Sequence, residues 1–135
     1  MSVGLGLDIV EIERVRAAIR RRPRLAARLF TERERSYAAA HRDDARRLAA
    51  RFAAKEAVAK ALGRSLSWHD VEVVNDAAGR PEAVLHGRAR ELAAGRRVLI
   101  SLSHSQTHAA AVALIIETSV PRPAISLAGR DGGPP

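Results

Sequence analysis

The sequence predicts an α+β fold: a mostly antiparallel sheet packed against one long helix and several short ones. Three observations carry this expectation. Strand-like runs open the chain and close it, with helical periodicity grouped between them. The last strand-like runs are separated by turns too short for a crossover, so they pair antiparallel. One alanine-rich helical stretch is much longer than the others. A chain of 135 residues is most simply one domain, here 1–117, followed by a Pro/Gly-rich tail, 118–135, expected to be disordered.

Each element has its own signal. Residues 3–10 are apolar, contain Gly4 and Gly6, and end on Asp8-Ile9-Val10. They read as a strand whose glycines mark close backbone approach or a bend. From Glu11, the positions Ile12, Val15, Ala18 and Ile19 keep helical spacing. Pro23 ends that helix or starts the next. Leu25, Leu29 and Phe30 suggest a short second helix. Thr31 and Glu34 form a capping-box pattern, which starts a helix running to about His41. Asp43 or Asp44 caps the longest helix, which reaches about Leu62 and packs through Leu48, Phe52, Val58 and many alanines. Gly63 stops it. Trp68 to Val74 alternates as a strand, 75–79 is a turn, and Pro81 to Leu85 returns, giving a hairpin. Gly87 to Ala94 reads as a helix. Val98 to Ser103 and His108 to Glu117 are strands around a short turn.

Composition narrows the function. Hydrophobic residues make up 47% but aromatics only 3%, so Ala, Leu, Val and Ile build the core. The absence of cysteine excludes a disulfide framework, a thiolate nucleophile and a zinc–thiolate site, and fits a cytoplasmic location. No apolar run reaches the ~18 residues of a membrane span, and the N-terminus has no secretory pattern. The net charge of +8 points to an acidic partner: nucleic acid, an anionic membrane, an acidic protein or a polyphosphate ligand. Much of it lies in Arg14–Arg28, a stretch without an acid, which is either a docking surface or a plain basic face. Nucleic acid is the weaker partner: few aromatics are available for stacking, and no zinc-finger or RNP motif occurs.

Three segments are able to carry chemistry. The first is Gly4-Leu5-Gly6-Leu7-Asp8. It lacks the third glycine of a dinucleotide fingerprint, because position 9 is Ile. Asp8 is left either as a metal-reaching carboxylate at a strand's end or as a carboxylate at a helix N-terminus. The second is Arg51 to Gly63, which holds both lysines of the chain. Glu56 and Lys60, four apart, share a helix face. They are either a solvated ion pair or half of a metal-and-phosphate site. Magnesium suits the latter, since it takes oxygen ligands from one or two carboxylates plus substrate phosphates. The third is Ser101 to His108, where hydroxyls and imidazoles fit phosphate binding, ordinary turn polarity, or metal or triad chemistry. The nucleophile-elbow pattern is absent.

Taken together, these segments resemble a known family. Gly4-Leu5-Gly6-Leu7-Asp8-Ile9-Val10-Glu11, the stretch from Arg51-Phe52-Ala53-Ala54-Lys55-Glu56 to Ala61, and Val98-Leu99-Ile100-Ser101-Leu102-Ser103-His104 are similar, in order, to three motifs of the bacterial holo-[acyl-carrier-protein] synthases. These are small 4′-phosphopantetheinyl transferases, and the likeness spans roughly residues 2–117. It implies the 4′-phosphopantetheinyl transferase-like fold and a Mg²⁺-dependent transfer. The 4′-phosphopantetheine arm of coenzyme A goes to a serine of apo acyl carrier protein, releasing adenosine 3′,5′-bisphosphate.

The resemblance also implies residue roles. Asp8 and Glu56 match the metal ligands, Lys60 the phosphate-contacting lysine, and His104 a histidine near the coenzyme nucleotide. Arg51, Gly63 and Ser105 are expected as further coenzyme contacts, and Asp8, Glu56 and Lys60 as the catalytic group. Arg14, Arg21, Arg24 and Arg28 occupy the place where the family docks an acidic carrier protein. Family members are homotrimers with coenzyme A between subunits. Lys55 lies about 100° from Glu56 around the helix and is left to structure or to the cleft's outer rim. The segment after Gly63 is shorter than the family's glycine-rich loop. The alternatives are a basic nucleic-acid-binding module, and a transferase dedicated to polyketide or peptide synthase carriers. Neither a nucleic-acid nor a membrane partner is expected.

Overall fold

Gly4 and Gly6 set the architecture. A Cβ on Gly6 would stand 1.9 Å from the carbonyl oxygen of Ala57, and one on Gly4 2.2 Å from that of Ala61. The first strand, β1 (Gly4–Glu11), therefore lies directly on the backbone of the longest helix. In this computed structural model, which describes residues 3–117, the chain continues through helices α1 (Ile12–Arg21), α2 (Leu25–Leu29), α3 (Glu32–Ala39) and α4 (Asp44–Leu62). A single 3₁₀ turn, Trp68–Asp70, leads into β2 (Val71–Asn75) and β3 (Pro81–Leu85). Then come α5 (Gly87–Ala93), β4 (Arg97–His104) and β5 (His108–Ile116). The expected disordered tail, 118–135, lies outside the described residues.

All pairings among the described strands are antiparallel, but they form two sheets. One is ordered β1-β5-β4, the other is the β2-β3 hairpin. Helix α4 packs against both. Its Ala53, Ala54, Ala57 and Val58 meet Val71, Val73 and Ala83 from one sheet and Val98, Ala111, Ala113 and Ile115 from the other. Small side chains on the helix let both sheets come close, which is how so few aromatics suffice. Phe30, Ala38 and Leu48 make a second cluster under α3.

The caps follow the sequence. Thr31 Oγ1 accepts from the Glu34 amide at 3.2 Å, while Glu34 Oε1 accepts from the Thr31 amide at 2.9 Å. Asp43, not Asp44, caps α4, accepting from the Arg46 amide. Gly63 ends α4 at φ 75°, a left-handed value that favours glycine. Three expectations are corrected. Helix α3 stops at Ala39, and the His41 ring turns back to bond the Tyr37 carbonyl. Trp68–Asp70 is a 3₁₀ turn rather than strand, because the Asp70 amide bonds back to the Ser67 carbonyl at 3.0 Å. Asp8 is not at a strand's end: β1 runs three residues further and pairs Asp8 with Ala111.

Candidate active site on helix α4

Alternation along β1 places Gly4, Gly6, Asp8 and Val10 on the face toward α4. One helical turn separates Glu56 from Lys60; Lys60 reaches the strand, and Glu56 lies within electrostatic range of Asp8. Lys60 Nζ lies 3.1 Å from Asp8 Oδ1 and donates to the Leu7 carbonyl at 2.9 Å. The pair with Glu56 allowed by their spacing does not form: the ammonium turns to the strand instead. Glu56 is half-buried and makes no hydrogen bond or ion pair with a described residue. Burial, and then the neighbouring Asp8 charge, push its carboxyl above the ordinary glutamate range, while Lys60 pulls it down.

The chemistry of this donor set fits magnesium. Two carboxylates converge from a strand and a helix, and one of them is held against its own ionisation with no protein donor to satisfy it. A hard divalent cation that keeps several waters suits such a pair. No group of three or more metal-ligating side chains occurs among the described residues, so such an ion would need water and substrate as its remaining ligands.

Beside these residues opens a cleft of 450 Å³. Glu56, Lys60, Gly63, Arg64, Ser65, Ser67 and Trp68 line it, with Lys55 at its floor. The short segment after Gly63 thus forms one wall. Nothing in the sequence marked Arg64, Ser65 or Trp68 as wall residues.

Other expected contacts lie elsewhere. Arg51 is only 3% exposed. Its guanidinium lies 4.1 Å from the Tyr37 ring centre and donates to Asn75 Oδ1 at 2.6 Å, and burial lowers its pKa. Its charge serves the core between α3, α4 and β2, and it does not line the cleft beside Glu56 and Lys60. His104 and Ser105 are exposed at the end of β4, and β5 lies between that strand and β1. Within one chain they do not join Asp8. Ser105 Oγ accepts from the amides of Thr107 and His108, which shapes the turn. Lys55 is 2% exposed, which excludes the outer rim.

Arg14, Arg21, Arg24 and Arg28 are all exposed on α1, α2 and the link between them. Arg16, by contrast, is engaged with Glu13 and Asp43. Beside the four lies a groove of 590 Å³ lined by Arg14, Val15, Ala18, Ile19, Leu25, Leu29 and Phe52 among others. The sequence showed the charge but not the groove, which needs α1, α2 and α4 in place.

Residues 4–113 match the family model of the 4′-phosphopantetheinyl transferase superfamily. The holo-[acyl-carrier-protein] synthase of Moorella thermoacetica is 50% identical over 116 residues, covering 82% of this chain and 91% of that protein. A crystal structure of the Bacillus anthracis holo-(acyl-carrier-protein) synthase, in complex with CoA (3′,5′-ADP), superposes with a TM-score of 0.73 at 31% identity. It covers 85% of this chain and 96% of that one. The acyl carrier protein synthase of Mycobacterium tuberculosis gives 0.70 at 34%, covering 87% and 100%. The chain belongs to this family: it is a 4′-phosphopantetheinyl transferase of the holo-[acyl-carrier-protein] synthase kind.

Proposed function

We propose that Asp8, Glu56 and Lys60 carry the chemistry of this transferase, with Mg²⁺ held by the two carboxylates. The reaction moves the 4′-phosphopantetheine arm of coenzyme A to a serine of apo acyl carrier protein, and adenosine 3′,5′-bisphosphate leaves. The observation that carries the assignment is the grouping of Asp8 with Glu56 and Lys60, the last two of which line one cleft.

Attack of the serine hydroxyl on the β-phosphorus forms a P–O bond and breaks the pyrophosphate linkage. Negative charge then grows on the leaving phosphate. A bound magnesium ion supplies charge neutralisation and orientation of the phosphates. Lys60 stabilises the same charge from one turn further along α4, in a site where little else must move. The serine proton is received by water or by a carboxylate of the pair.

The carrier protein docks on Arg14, Arg21, Arg24 and Arg28, whose exposed charges steer an acidic partner. The adjoining apolar groove offers room for side chains from that partner. The working form is a homotrimer in the cytoplasm. Support for assembly comes from the sheet face turned away from α4, where Leu5, Leu7 and Ile9 are 68%, 64% and 64% exposed beside Val112 and Leu99. A contiguous apolar patch of that kind marks an interaction surface. In such an assembly, His104 and Ser105 serve the coenzyme cleft of a neighbouring subunit.

Incubation with coenzyme A, Mg²⁺ and apo carrier protein should add the mass of the arm to the carrier. Asp8→Ala and Glu56→Ala should abolish the gain. Transfer that is indifferent to both substitutions would refute the site. Apo carriers from fatty-acid and from polyketide or peptide synthesis, compared in parallel, read the carrier preference.

A further inference from the structure

Lys55 does not touch the expected reacting groups, yet it lies at the floor of their cleft with its side chain 1% exposed. An ammonium has three donors, and here three elements take them. Glu34 Oε1 from α3 lies at 2.8 Å, the Trp68 carbonyl of the 3₁₀ turn at 2.7 Å, and the Val71 carbonyl that opens β2 completes the set. The Glu34 carboxylate is equally engaged, since it accepts from the Thr31 and Val73 amides at 2.9 Å each. Trp68 is further held by stacking on Phe52, with ring centres 5.1 Å apart.

We infer that the buried Lys55–Glu34 pair is a positioning device for the coenzyme cleft, fixing the Trp68–Val71 wall opposite Glu56. Stability alone does not call for such a pair. Two charges withdrawn from water are costly, and apolar side chains of the same volume often stabilise a core as well or better. What the pair adds is direction. Lys55 precedes Glu56 in the chain, so its two bonds to the Trp68 and Val71 carbonyls tie the carboxylate-bearing turn of α4 to the backbone across the cleft, and the third anchors it to the Glu34 carboxylate. The inference rests on the reading that this cleft takes coenzyme A.

The test uses Lys55→Met and the double variant Glu34→Gln/Lys55→Met. Trp68 is the only tryptophan, so its emission reports the wall directly. Lys55→Met should lower kcat/KM for coenzyme A on the order of 10²-fold, raise the KM for coenzyme A, and shift the Trp68 emission. The double variant, which leaves no unpaired buried charge, should recover the melting temperature but not the coenzyme affinity. A folded double variant with wild-type coenzyme affinity and emission would overturn the inference. Amide exchange on the wild-type protein covers the case in which neither variant folds. The Val73 amide should be protected before coenzyme A is added, and free exchange there would also overturn it. If wild-type protein fails to bind coenzyme A while Val73 stays protected, the ligand assignment fails and the clamp stands.

Discussion

Replacing Gly6 by alanine should separate the two halves of the active site. The added Cβ would sit 1.9 Å from the Ala57 oxygen and 2.8 Å from its carbonyl carbon, whereas ordinary contact begins near 3.4 Å. Both atoms are backbone, so no rotamer change relieves the clash. Strand β1 and helix α4 must part by about 1.5 Å, an overpacking expected to cost roughly 1–3 kcal/mol. For a domain of this size that corresponds to a fall in Tm of roughly 4–12 °C. The same movement draws Asp8 away from Glu56 and Lys60, since Asp8 is two residues along the same face of the strand. A misplacement of about 1 Å is worth on the order of 10²-fold in rate. The assay is arm transfer to apo carrier protein at saturating Mg²⁺, well below the variant's melting temperature. A well-folded Gly6→Ala protein with wild-type kcat/KM would refute the reasoning, because it would show that the spacing of β1 and α4 does not set the chemistry.

Four further outcomes are expected. Lys60→Gln should lower kcat on the order of 10²–10³-fold with a smaller change in the KM for carrier protein, measured by steady-state kinetics. Arg14→Glu with Arg21→Glu should raise the KM for carrier protein roughly tenfold or more, leave the KM for coenzyme A unchanged, and flatten the salt dependence of the rate. If the proposed trimer forms, Leu7→Glu with Ile9→Glu should convert it to smaller species in sedimentation equilibrium, and a wild-type monomer would remove the shared-cleft picture. The raised Glu56 carboxyl sets a pH dependence. Its folded pKa lies above the unfolded one, so its contribution to apo-protein stability is full below the ordinary glutamate range and is lost as pH rises through the raised value. Thermal melts should therefore show Mg²⁺ stabilising the protein most above that value, and the acid limb of activity should move to lower pH as Mg²⁺ is raised.

Much of the fold is legible because its signals are local. The Thr31–Glu34 box and the Gly63 stop each depend on a few neighbouring residues and are found where the sequence put them, and the α4 cap falls on Asp43, one of the two residues the sequence offered. Trp68–Asp70 misled because alternation over three residues does not separate a strand from a 3₁₀ turn; the bond from the Asp70 amide back to the Ser67 carbonyl is what distinguishes them. The partition into two sheets was not legible either, since it depends on how both sheets pack against α4. In the site, Asp8, Glu56 and Lys60 stood out as charges in an otherwise alanine- and glycine-rich setting. Arg51 stood out equally and proved to be a core residue. A charged side chain in a helix motif points into a cleft or a core according to packing that one sequence does not display.

The two lysines of an arginine-rich chain make the same point from the other side. Lys60 donates from one nitrogen to a backbone carbonyl and a carboxylate on the edge strand, a convergence that suits a rotatable ammonium. Lys55 meets three acceptors on three separate elements in a space with almost no solvent. A planar guanidinium directs its donors within one plane and needs more room than this buried pocket gives. At both positions the acceptor geometry suits an ammonium better than a guanidinium. In the proposed site one ammonium faces the phosphates and the other holds the wall they bind against, so the stretch of α4 between them would couple the interior of the domain to its chemistry.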